Sequence, residues 1–337
     1  MRLRLLPMLL AMIAAPASAA GPAYRLVATI PLGTPDRWDY VVADPASHRV
    51  YVAHGDRLAV IDGARAAVIG DVAGITGGTH GTAISRATGL GFTDDGRAGQ
   101  AIAFDLTTLA IVARLPAAPD ADAVAVDPVT GHVFVVEGDS HAITIVDPAT
   151  RAVVGTIAGG EQMEYAVADG AGHVFVAGEE KGDLIEIDTH TDTLIARRPV
   201  PGCTSPHGLA FDRASGRLFM GCVNATMMVI DAKDGHVVAQ LPIGRGSDAV
   251  AFDAARKRLF SSNGIDGTVS IYQQVDADHY RALPTLATMV SGRTMAVDPS
   301  SGRLFVAAAQ TDPSATPGGR ARTRPGTLAL LVFDPAD

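Results

Sequence analysis

Aromatic residues are scarce in this 337-residue chain, at 5 % with a single Trp, and there are only two cysteines. One Trp excludes the Trp-rich repeats of quinone-dependent dehydrogenases. The cysteines form no Cys-x-x-Cys-His, which excludes covalent haem attachment. Positive charge is in deficit, with 27 Lys and Arg against 36 Asp and Glu and no basic run, so a nucleic-acid surface is excluded. Beyond the N-terminal segment no stretch approaches the roughly 18 uninterrupted apolar residues of a membrane span. The glycine-rich "GGTHG" at 77–81 leads into a strand rather than a helix, so it is not a phosphate cradle.

What is present begins with the N-terminus. Arg2 and Arg4, an apolar run from Leu5 to about Ala15, and Ala17-Ser18-Ala19 form the layout of a secretory signal peptide. Residues 1–20 are expected to be cleaved and the chain exported to the periplasm or beyond, with an uncleaved anchor as the alternative. Without Arg2 and Arg4 the formal balance is 25 − 36 = −11. Residues 21–337 are expected to form a single domain. Cys203 and Cys222 fall in one repeat unit of an exported chain and are expected to form a disulfide.

The rest is built from one unit. Counterparts of "AFD" recur at Asp44, Ser85, Asp127, Asp169, Asp212, Asp253 and Asp298, spaced by 41, 42, 42, 43, 41 and 45 residues. Six or seven residues further on, each copy carries an aromatic: Tyr51, Phe92, Phe134, Phe175, Phe219, Phe260 or Phe305. Each copy reads as four short strands separated by Asp-Pro-x-x-Gly or Glu-Gly-Asp turns. A period near 42 with four strands per unit predicts propeller blades, seven in all, with the repeated ring in the core. The seventh copy lacks its fourth strand, and "YRLVATIPLG" at 24–33 matches that strand in the third copy. An all-β, seven-bladed β-propeller is therefore expected, its ring closed by N-terminal strand pairing into the C-terminal blade, which removes the open sheet edge.

The units "RVYVAHGDRLAVIDGARAAVIGDV", "HVFVVEGDSHAITIVDPATRAVVGTIAGG" and "RLFMGCVNATMMVIDAKDGHVVAQLPIG" resemble those of exported YVTN-repeat propellers, close to the YncE-like periplasmic proteins. The resemblance implies the fold along nearly the whole mature chain. It does not choose a function, because more distant relatives include lactone hydrolases, lyases and redox subunits.

Differences between copies point to function, since unlike residues at one repeat position meet at one end of the channel. Five residues before each landmark the copies read Asp39, His80, Asp122, Glu164, His207, Asp248 and Arg293. Four carboxylates and one Arg give −4 + 1 = −3 with neutral His, and crowded like charges raise one another's pKa or recruit a cation. His80 and His207 are expected to face each other and, with Glu164, to hold a divalent metal; imidazole with carboxylate suits Zn, Mn, Fe, Ni or Cu. Trp38, Asp39, Tyr40, Asp122, Tyr165, Asp248 and Arg293 complete the expected ligand-binding rim, to which the second-to-third-strand turns add His54, Asp95, Glu137, Glu179, Asn224 and Asn263. A plain solvated rim is the alternative. Three functions fit: a module binding a small molecule, metal or protein partner; a metal-dependent hydrolase or lyase with Glu164 or His207 as general base; or an accessory subunit of a redox or transport complex. A monomer is expected. Ser205 and Ser291 offer only a loose nucleophile–base pairing with His207 and Arg293. The insertion "AQTDPSATPGGRARTRPGT" in the last blade carries Arg320, Arg322 and Arg324 and reads as a mobile loop, with a lid over the mouth as the alternative.

Overall fold

Sheet order follows directly from the repeat. The computed structural model describes residues 23–313 and 321–336, so the expected signal peptide lies outside the described residues. Seven antiparallel sheets are arranged as blades. In the third, the strands Ala121–Val126, Val133–Glu137, Ala142–Asp147 and Ala152–Ala158 pair in sequence order, and the other blades repeat this arrangement. The innermost strand of each blade is called a and the outermost d.

The landmark residue has a local cause. Its carboxylate caps the turn between strands a and b: Asp127 accepts from the Thr130 amide and hydroxyl at 2.9 Å each, and Asp298 accepts from Ser300 at 2.7 Å and Ser301 at 2.8 Å. Ser85 fills the same place in the second blade, where the Thr88 hydroxyl meets its Oγ at 2.9 Å.

Apolar side chains do not gather in one central core. They form seven clusters among the described residues, one in each gap between neighbouring blades. The repeated aromatic belongs to these layers, and all seven copies are at most 2 % exposed.

Closure occurs as the missing strand requires. Tyr24–Pro31 pairs antiparallel with Ala329–Pro335, in register Tyr24↔Pro335 through Pro31↔Ala329, and becomes the outer strand of the seventh blade. Its Tyr24 ring packs edge-on against Phe260 at 5.5 Å, and Ile30 joins the layer around Phe305. One blade departs from the repeat. The 45-residue spacing after Asp253 leaves extra chain, and the sixth outer strand is split into Tyr280–Ala282 and Leu286–Ala287. Among the described residues no helix is long and apolar enough to cross a membrane.

Candidate functional site

The seven unlike residues stand at or just before the start of each strand a, and repeat symmetry brings them to one mouth of the channel. His207 is the centre of the densest contacts. Its Nδ1 lies 2.9 Å from Glu164 Oε1 and 3.1 Å from Asp248 Oδ1, while Nε2 lies 3.4 Å from Glu179 Oε1. Burial opposes charge on this imidazole, but Asp248, Glu164 and Glu179 outweigh it and push the pKa up to about 12. Ser205, held at a φ of 45°, donates its hydroxyl to Glu179 at 2.9 Å and sits 3.4 Å from His207 Nε2.

From His207 the contacts continue around the ring. Arg293 Nη1 lies 3.4 Å from Asp248 and its Nη2 lies 3.7 Å from Asp39, while the guanidinium covers the Trp38 ring at 5.8 Å. Burial, against the pull of Arg293, raises Asp39 to about 7. Asp122 is pushed well above the carboxylate range by burial and by the charges of Glu164 and Asp39. Beneath the ring Tyr40 and Tyr165 pack at a 59° tilt with centroids 4.7 Å apart, and Tyr40 Oη donates to Glu164 Oε2 at 3.3 Å across the channel. Burial and these carboxylates hold the Tyr40 hydroxyl protonated.

His80 is the exception among the seven. Its Nδ1 lies 2.9 Å from Asp94, and Arg37 Nη2 donates to its Nε2 at 2.9 Å. Asp94 is fully buried and also accepts the backbone amides of His80 and Gly81 at 2.9 Å each, which fixes the imidazole against the second blade. With both ring nitrogens engaged, His80 does not join the candidate ligand set with Glu164 and His207. Among the described residues, the three groups whose ligand atoms lie within 4.8 Å of one another are Glu164, Glu179 and His207.

Of the six turn residues, Glu179 alone takes part in this cluster. His54 is buried and bonds the Pro35 carbonyl at 2.7 Å; Asn263 is buried on Thr268 and Ser270 at 3.0 Å each. Glu137 is fully buried, Asp95 nearly so, and Asn224 ties its own turn to the Thr204 amide and the Gly202 carbonyl. Of the three insertion arginines, the two described ones are engaged within the insertion itself. Arg320 lies outside the described residues; Arg322 and Thr323 pair with Asp312 and Thr311, and Arg324 bonds Asp312 at 2.7 Å.

The disulfide Cys203–Cys222 shapes this mouth. It joins the loop entering the fifth blade to the end of strand b, with Cα atoms 5.4 Å apart, directly beside Ser205 and His207. Pro206 pairs opposite Cys222, so the loop is held at both ends of a short span.

No family model and no curated protein matches the chain. Solved structures do. A chain of hydrazine synthase from Kuenenia stuttgartiensis superposes with a TM-score of 0.71 at 12 % identity, covering 83 % of this chain and 93 % of that one. The structure of U3-55K superposes with a TM-score of 0.75 at 11 % identity, covering 92 % and 99 %. At such identities the likeness establishes the propeller fold alone.

Proposed function

We propose that the protein is an exported, non-catalytic binding module whose acidic channel mouth takes up a divalent cation or a small cationic ligand. The observation that carries this is the convergence of Glu164, Glu179 and His207 from two blades, each partly exposed, with Asp248 and Asp122 beside them. One imidazole with two carboxylates suits Zn, Mn or Fe better than Ca or Mg. Asp248 is placed to support His207 as an outer carboxylate. The signal-peptide layout and the resemblance to YVTN propellers support export.

Without an ion, the imidazolium of His207 and the guanidinium of Arg293 lie against the carboxylates of the ring. An incoming cation must displace the His207 proton, so uptake should weaken steadily as pH falls. The same fact disfavours the hydrolase reading: an imidazolium held by three carboxylates does not accept a proton from Ser205.

Thermal melting tests the proposal. A bound ion stabilises the native state by about 2.7 kcal/mol at a hundredfold excess over Kd. Zn or Mn should raise the Tm of the wild type and leave Glu179→Gln and His207→Ala where they were. A wild-type Tm indifferent to Zn, Mn and chelator would remove the cation from the proposal.

A further inference from the structure

Tyr40 and Tyr165 pack together below the acidic mouth, and on the far side of Tyr165 the channel has a different chemistry. A cavity of about 360 Å³ opens along the strand a residues of the second to sixth blades. Tyr165, Phe211, Phe252, Ile84 and Val126 line it, and Arg213 is the one charged residue in its wall. At about 30 Å³ per water it has room for roughly twelve waters, or a ligand with a similar number of non-hydrogen atoms.

Two features separate this wall from ordinary repeat structure. The residue before the landmark is Ala43, Ile84, Val126, Ala168, Phe211, Phe252 or Val297, so two Phe fall on adjacent blades and give the cavity one aromatic side. Phe211 and Phe252 are both incompletely buried, and each packs one face on an interior ring, Phe175 at 6.1 Å and Phe219 at 5.2 Å. Arg213 is the second feature. Among the described residues its side chain has no hydrogen-bond or ion-pair partner, whereas Arg86 pairs with Asp44 and Arg256 with Asp253.

Its position is nevertheless defined. A side chain at Gly170 would place a Cβ 2.2 Å from Arg213 Nη1, so the glycine of the neighbouring blade leaves the space the guanidinium occupies. The nearby turn carboxylates do not neutralise it. Asp169 is engaged by His173 at 3.0 Å, and Asp212 by Ser215 and, at 2.9 Å, by Gln274. An oriented, unpaired guanidinium beside aromatic walls recognises a planar anion.

We propose that the lower channel is a second binding site, for a small aromatic carboxylate, with its ring against Phe211 and Phe252 and its carboxylate on Arg213. The two ends of one channel then take ligands of opposite charge, with the tyrosine pair between them.

The probe is 2-naphthoate, followed by titration calorimetry on the full chain, with the uncharged 2-naphthamide as control. The wild type should bind naphthoate at one site. Naphthamide, and naphthoate on Arg213→Gln, should each bind roughly tenfold or more weakly, as loss of a charge-assisted pair requires. Arg213 is exposed, so this variant should fold, and its melting curve checks that. No binding at millimolar naphthoate, equal affinity for the amide, or insensitivity to Arg213→Gln overturns the proposal. So does a naphthoate affinity that Arg293→Gln weakens as much as Arg213→Gln, which would put the anion on the upper guanidinium. The upper-mouth reading stands or falls separately, on cations.

Discussion

Replacing Glu137 by Gln should stabilise the protein in a strongly pH-dependent way. Glu137 ends the Val133–Glu137 strand, paired with Ala121 on one side and Ala142 on the other, and is fully buried. Its Oε1 accepts a long 3.4 Å bond from the Ala118 amide, and Oε2 has no hydrogen-bond partner. Burial raises its pKa from 4.5 to about 7, only partly opposed by Thr144. At 1.36 kcal/mol per pH unit the raise is worth about 3 kcal/mol. The sign follows from which state ionises first. Below about pH 4.5 both states are protonated and there is no penalty. As pH rises towards 7 the unfolded chain ionises while the folded one resists, so the wild type progressively loses about 3 kcal/mol. Gln has nothing to ionise. Urea unfolding should therefore give Glu137→Gln nearly wild-type stability at about pH 4 and about 3 kcal/mol more at about pH 8. A stability difference that does not change with pH would refute the reasoning and return Glu137 to the solvated rim.

Reducing the Cys203–Cys222 bridge, which spans 19 residues, should cost about 3 kcal/mol by urea unfolding and should also weaken cation uptake, because the loop carrying Ser205 and His207 loosens. Equal stability with and without reductant would contradict the first effect. Tyr24→Ala should destabilise by about 3 to 5 kcal/mol, since the ring that seals the last blade is lost. Leu26→Ala, two residues along the same strand but 53 % exposed, should stay within about 0.5 kcal/mol. Similar losses at both positions would mean that Tyr24 does not anchor the closure.

The blades were readable because each copy repeats the same causes: alternating apolar residues, a capping Asp and one large ring. Equal repeat positions become equal spatial positions, so Asp39, Asp122, Glu164, His207, Asp248 and Arg293 could be assembled from spacing alone. The partners of those residues could not. His80 turns away because Asp94, on strand b of its own blade, is buried and needs a donor, and no repeat pattern marks that pair. Glu179 reaches the cluster while Glu137 and Asn263, at the corresponding turns, are buried. Glu137 takes the Ala118 amide and Asn263 bonds Thr268 and Ser270, local partners that no repeat position marks. Nothing in the repeat marks Arg213, which follows the capping Asp212 in a turn at the far end of the channel.

The most direct test of the cation site is a titration of the purified, metal-stripped protein with Zn and Mn by calorimetry. One ion per chain should bind the wild type and His80→Gln alike, since His80 is committed to Asp94 and Arg37. Binding should be lost in Glu179→Gln and in His207→Ala. Binding that survives both of these substitutions, or that disappears with His80→Gln, would contradict the assignment of the ion to Glu164, Glu179 and His207.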